Sequence, residues 1–265
     1  MKFIGTSYSV LFLALSCVCA LTSSTTVDAQ VEPKTPVMNV LLVHGAWVDG
    51  SSWVKVIPAL GSKGLHVVSV QIPLTSLADD VAATKRALAL VDGPVLLVGH
   101  SYGGVVITEA GNDPKVKGLV YIAAFAPDAG ESAVTLLSSV PQSPAGAELR
   151  PDAFGFLKLT AKGVDEDFAE ELPNGEKKII YATQIPASVT ALGAPVSQAA
   201  WKSKPSWFLV TTKDRVIPVE LARTMARRID AETVEVSSCH AVVLAHPDEV
   251  ISLIVKASLT DKITH

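Results

Sequence analysis

The sequence predicts an α/β fold, a six-stranded, mainly parallel sheet with helices on both faces. Three observations carry this. Short continuous apolar runs recur along the chain, the pattern of strands buried on both faces. Stretches with apolar residues at helical spacing alternate with those runs, as crossover connections require. One run also leads through a glycine-rich turn, Gly99-His100-Ser101-Tyr102-Gly103-Gly104, into a helical stretch.

The elements follow in order. Residues 37–43 (VMNVLLV) form the first strand, closed by His44-Gly45. Residues 52–60 are apolar at helical spacing and stop near Gly61 and Gly64. A second strand spans 66–70. The next helix, 76–90, sets Leu77 and Val81, then Leu88 and Val91, on one side. Its Asp79 and Asp80 fall in the first turns and Lys85-Arg86 later, as the helix dipole favours. A third strand, 95–99, runs into the helix 103–110. Strands at 116–123, 206–211 and 233–236 complete the six. Helices at 219–229 and 247–257 follow the last two, the second with Pro247 in its first turn.

Residues 126–204 break this rhythm. They hold much of the proline, several aromatics, and only short helical stretches such as 165–172. An insertion there, at the carboxyl edge of a parallel sheet, is expected to act as a cap over the ligand site. The core is then 37–125 and 205–260.

The amino terminus reads as a cleavable signal. Met1-Lys2 is a basic start, 10–21 (VLFLALSCVCAL) is apolar, and Val27-Asp28-Ala29 fits a small-residue cleavage site. A dozen apolar residues fall short of the roughly 20 that span a bilayer. The expectation is a signal peptide at 1–29, a flexible leader at 30–36, and export to the periplasm or outside the cell. Removing 29 of 265 residues leaves 236, a single domain large enough to fold without disulfides. Cys17 and Cys19 leave with the signal, so Cys239 has no intrachain partner and reads as a small buried residue. A net charge of −4, with lysines and arginines scattered, argues against a nucleic-acid partner. No other segment is long and apolar enough to suggest a membrane span. Oligomeric state is left open.

The chemistry concentrates at three places. Ser101 lies in Gly-x-Ser-x-Gly between a strand and a helix. Small flanking residues allow the tight turn that exposes a serine hydroxyl at a helix amino terminus. A serine needs a base to become nucleophilic. His240 lies on the loop Ser237-Ser238-Cys239-His240 after the last strand. The other histidines have plainer places: His44 and His100 in turns, His66 opening a strand, His246 before Pro247 where it can cap a helix, His265 at the end. An imidazole base needs an anion to fix its tautomer. Asp214, in Lys213-Asp214-Arg215-Val216-Ile217-Pro218 after the strand 206–211, supplies it; Asp128 or Glu131, after the strand 116–123, is the rival. The backbone N–H groups of Tyr102 and of Ala46, in the loop after the first strand, are candidate oxyanion donors. Trp47, Phe125, Phe154, Phe156 and Trp201 are candidate pocket residues.

Together, His44-Gly45-Ala46-Trp47, Gly99-His100-Ser101-Tyr102-Gly103-Gly104, Asp214-Arg215-Val216-Ile217-Pro218 and Cys239-His240 resemble the α/β-hydrolase superfamily. The resemblance covers nearly all of 37–257. It is nearest the six-stranded branch of plant methyl esterases, hydroxynitrile lyases and bacterial esterase-like hydrolases. It implies a small-molecule ester substrate, a Ser-His-Asp triad, and neither metal nor organic cofactor. Hydroxynitrile lyases of this branch carry a lysine directly after the histidine, where this chain has Ala241, and lack the glycine present here as Gly45. Both differences favour hydrolysis. Ser101 sets the chain apart from relatives with an aspartate nucleophile. A lyase-like use of the triad and a binding protein with little turnover remain the alternatives.

Overall fold

The computed structural model describes residues 39–259, with Lys2 and Gly5. Apart from those two residues, the expected signal peptide and leader lie outside the described residues. The chain divides into units 1–33 and 34–265, and the sheet and the site belong to the second.

The first half holds β1 (Asn39–Val43), α1 (Ile57–Ser62), β2 (His66–Val70), α2 (Leu77–Ala89), β3 (Val95–His100), α3 (Gly103–Ala110) and β4 (Val116–Ile122). An insertion follows with α4 (Ala133–Ser138), α5 (Pro144–Ala147), β5 (Leu149–Pro151), β6 (Phe156–Leu159), α6 (Asn174–Thr183), β7 (Ala187–Ser188) and α7 (Val189–Gly193). The chain then returns to the main sheet with β8 (Ser206–Thr211), α8 (Val219–Arg228), β9 (Glu232–Val236), α9 (Val242–Ala245) and α10 (Pro247–Ser258).

The strand order is β2-β1-β3-β4-β8-β9, and every pairing in this sheet is parallel. Successive strand residues point to opposite faces, which explains the two separate cores. Leu41, Val43, Leu97, Tyr121, Phe208 and Val210 pack with side chains of α2, α3 and α8 on one face. Val40, Leu42, Leu96, Val98, Trp207 and Leu209 pack with α10 on the other. The central strands β1, β3 and β8 are buried along their whole length, so their sequences read as unbroken apolar runs.

Three expectations need correction. The helix at 52–60 is a 3₁₀ turn (Gly50–Trp53) followed by α1. Pro58 has no N–H to donate to the Val54 carbonyl, so it does not continue a helix begun upstream and lies instead in the first turn of α1, where that N–H is not needed. The expected helix at 165–172 is a π-helical turn (Gly163–Phe168). The insertion also carries a three-stranded antiparallel sheet, β5-β6-β7, whose strands of two to four residues are too short for a period to show. Among the described residues no helix is long and apolar enough to cross a membrane.

Candidate active site

The site begins at the end of β3. Ser101 stands between β3 and α3 with φ +53, a left-handed backbone that costs a non-glycine residue about 1–3 kcal/mol. Close packing around the turn holds it there. A Cβ at Gly103 or Gly104 would run into the carbonyl oxygens of Val43 and Phe125. The Phe125 N–H donates to the Ser101 carbonyl at 3.2 Å, which ties the start of the insertion to the same turn.

The loop after β1 presses against this turn. A Cβ on Gly45 would lie 2.7 Å from Ser101 Cβ and 3.2 Å from His100 Nδ1. Gly45→Ala is therefore expected to displace the Ala46 backbone from the serine. The predicted loss in kcat is about 10²–10³, the effect of one misplaced oxyanion donor. Ester turnover and a melting curve on the purified variant check it. His44 fixes the loop from the other side. Its Nε2 accepts from the Ile72 N–H at 3.1 Å, so Nδ1 carries the proton and donates to the Gly45 carbonyl at 2.9 Å. Burial pushes the His44 pKa down, which keeps this neutral arrangement. Among the described residues neither the Ala46 nor the Tyr102 N–H has a protein acceptor.

The predicted base and acid, His240 and Asp214, meet beside the serine turn. His240 Nδ1 lies 2.8 Å from Asp214 Oδ2, both side chains buried. Asp214 Oδ2 also accepts from the Thr211 hydroxyl at 2.7 Å, and Oδ1 accepts from the N–H groups of Val216 at 2.8 Å and Ile217 at 2.9 Å. Burial alone would raise the Asp214 pKa. The His240 ring and these hydrogen bonds outweigh it and hold the carboxyl below the usual range. An ionised Asp214 can only accept, so the proton sits on His240 Nδ1 and Nε2 keeps its lone pair. Nε2 is buried with no hydrogen-bond partner. The ring lies 4.9 Å from that of His100, the residue before the serine, and His100 Nε2 lies 3.0 Å from the His240 carbonyl. Burial and the nearby His240 push the His100 pKa down to about 3. His100 is thus a neutral post between the two loops.

The other candidates fall elsewhere. Asp128 pairs with Lys202 at 2.5 Å, and Glu131 with Arg228 at 2.8 Å. His246 starts α10 but makes no side-chain cap; it faces Glu171 at 3.4 Å instead. Phe154 is 87% exposed at the turn before β6, so it is no pocket residue. Trp201 donates to the Pro127 carbonyl at 2.8 Å and lies under Lys202 and Arg228. Those contacts place it beside the Asp128–Lys202 and Glu131–Arg228 pairs. Phe156 is half-buried on β6. Trp47 is buried in the site loop, with φ +63, and its indole N–H donates to the Leu157 carbonyl on β6 at 3.0 Å.

Sequence reasoning missed two residues here. Phe168 packs edge-on against His240 at 5.2 Å and against Trp47 at 6.5 Å. Nothing in Asp165-Glu166-Asp167-Phe168 marks it out. Asp80, read from the sequence only as a first-turn acid that suits the helix dipole, lies on the buried face of α2. It accepts from the Leu74 N–H at 2.7 Å and from the Tyr102 hydroxyl at 2.8 Å. Burial pushes its pKa up to about 6. The folded chain therefore holds this proton more tightly than the unfolded chain between about pH 4 and pH 6. Asp80's contribution to stability falls as pH rises through that window and is flat above it. Asp80→Asn should remove that slope from melting temperature against pH.

Known proteins give the site its family. Residues 40–253 match the model of the α/β-hydrolase family. The chain belongs to the α/β-hydrolase family. This hydrolase is 36% identical over 115 residues to a carbendazim-hydrolysing esterase of Nocardioides, covering 37% of this chain and 47% of that protein. The chain thus aligns with about half the length of that relative. It is 24% identical to methylesterase 8 of Arabidopsis thaliana, over 70% of this chain and 75% of that one. A pyrethroid hydrolase of Sphingobium faniae superposes with a TM-score of 0.73 at 20% identity, covering 84% of the hydrolase and 98% of its neighbour. That likeness carries the fold. The esterase relatives support the ester-bond hydrolase that the motifs predict.

Proposed function

We propose that this hydrolase cleaves small carboxylic esters through an acyl-enzyme on Ser101. Ser101 Oγ attacks the ester carbonyl carbon while its proton passes to His240 Nε2. The carbonyl π electrons move to oxygen, which the N–H groups of Ala46 and Tyr102 receive. As the tetrahedral intermediate collapses, the bond to the alcohol oxygen breaks and His240 returns the proton to that oxygen. Water then attacks the acyl-enzyme by the same route. It releases the acid and restores the serine. Asp214 stabilises the imidazolium in each half. Every step uses side chains and backbone donors of this chain.

The observation that carries this reading is the His240–Asp214 hydrogen bond of 2.8 Å with Nε2 left unpartnered beside the serine turn. Trp47 and Phe168 give the site an apolar wall, which suits small hydrophobic or aromatic esters. The test is product analysis with p-nitrophenyl acetate and butyrate. Equal amounts of acid and alcohol support the proposal. Cleavage of a cyanohydrin without ester cleavage would make it a lyase, and tight ligand binding without turnover a binding protein. Residues 1–29 are proposed to direct export to the periplasm or beyond. An exported form whose mass begins at Gln30 supports this, and a full-length cytoplasmic form opposes it.

A further inference from the structure

Asp214 and His240 sit on separate loops, after β8 and after β9. Their hydrogen bond requires those loops to keep a fixed separation. One carboxylate from the insertion touches both. Glu171 Oε1 accepts from Lys213 Nζ at 2.8 Å, one residue before Asp214. Glu171 Oε2 accepts from the backbone N–H of Cys239 at 3.0 Å, one residue before His240. The neighbouring residues repeat the pattern on the other side of each. Arg215, after Asp214, donates to Asp167 at 2.7 Å, and the N–H of Ala241, after His240, donates to the Phe168 carbonyl at 3.0 Å. The π-helical turn and the residues after it therefore grip both flanks of the acid and both flanks of the base.

We infer that Glu171 is a positioning residue for the reaction: the Lys213 N–H already donates to the Ser238 carbonyl at 3.1 Å between the two loops, and the Glu171 carboxylate adds a second tie that tightens the approach of Asp214 to His240. This rests on the triad reading above. Burial works against the charge on Glu171, but Lys213 and the Cys239 N–H outweigh it and hold its pKa low. The bridge is therefore ionised at neutral pH. The Cys239 end of the bridge holds the loop backbone itself, while the Lys213 end is an exposed side-chain pair that contributes less. Small errors in the placement of reacting groups cost up to about 10²-fold in rate.

The experiment compares Glu171→Gln and Lys213→Met with Asp165→Asn. The last breaks an exposed pair with Lys177 in the same segment without touching either triad loop. Each variant is assayed for kcat and KM on p-nitrophenyl butyrate. The low-field proton resonance of the His240–Asp214 hydrogen bond is recorded by NMR. The proposal expects kcat to fall about 10- to 100-fold in Glu171→Gln, with KM within about twofold and the low-field resonance shifted or broadened. Lys213→Met, at an exposed lysine, should change in the same direction by a smaller factor. Asp165→Asn should match the native protein in both measurements. Native kcat with an unmoved resonance in Glu171→Gln overturns the proposal. So does a loss that follows only the fraction unfolded. If Glu171→Gln does not fold, Lys213→Met decides: native kcat and an unmoved resonance there overturn it too. Failure of the triad reading looks different, because the native protein would then lack Ser101-dependent turnover.

Discussion

Ser101→Ala is expected to fold as the native protein and to lose about 10⁶-fold in kcat. The fold should survive because alanine meets the same left-handed backbone as serine, and the glycines that make room for the turn are untouched. The activity should not survive, because the proposed nucleophile is gone and the hydroxyl of the next residue, Tyr102, is engaged with Asp80 at 2.8 Å. What remains comes from the oxyanion donors and substrate binding, about 10³–10⁴ over water. His240→Ala should cost a similar factor. The double variant should be no worse than either, since the two act as one unit. Steady-state ester turnover checks all three. A double variant far slower than both single variants would show that serine and histidine act separately.

Asp214→Asn is expected to lose about 10⁴-fold in kcat with little change in fold. The asparagine oxygen can still accept from the Val216 and Ile217 N–H groups, as Asp214 Oδ1 does now. The amide nitrogen would then face His240 Nδ1 in place of Oδ2. It can only donate there, which forces the imidazole proton onto Nε2 and removes the lone pair that must accept the serine proton. Asp128→Asn, at the rival acid, should leave kcat unchanged because Asp128 is engaged with Lys202. The pair of variants decides between the two acids by rate alone. A large loss in Asp128→Asn with native rates in Asp214→Asn would reverse the assignment.

The six strands were legible because most are buried on both faces, so each central one reads as an unbroken apolar run. The placement of Ser101 and His240 on neighbouring loops was legible for a related reason. Each sits where a strand of that sheet ends, and the strand order in sequence places the loops. Asp214 could be told from Asp128 only once the structure showed which carboxylate reaches His240 Nδ1. The insertion was harder. The strands of β5-β6-β7 are too short for a period to declare itself, and Pro58 split a helix whose apolar spacing looked continuous. Phe154 and Trp201 were expected at the pocket for their aromaticity alone. That says nothing about direction, and the turn before β6 faces Phe154 to solvent. Asp80 follows the helix-dipole rule along the sequence, yet its place on the helical wheel beside Leu77 and Val81 turns it inward. Phe168 and Glu171 were invisible because their partners lie far off in sequence, on loops that only the folded sheet brings near.

The most direct test of the account is covalent labelling of the native protein with an organophosphonate, followed by peptide mass spectrometry. One adduct is expected, on the peptide that carries Ser101, formed as ester turnover is lost. No adduct is expected in Ser101→Ala. An adduct on another residue, or a folded and active protein that takes no label, would contradict it.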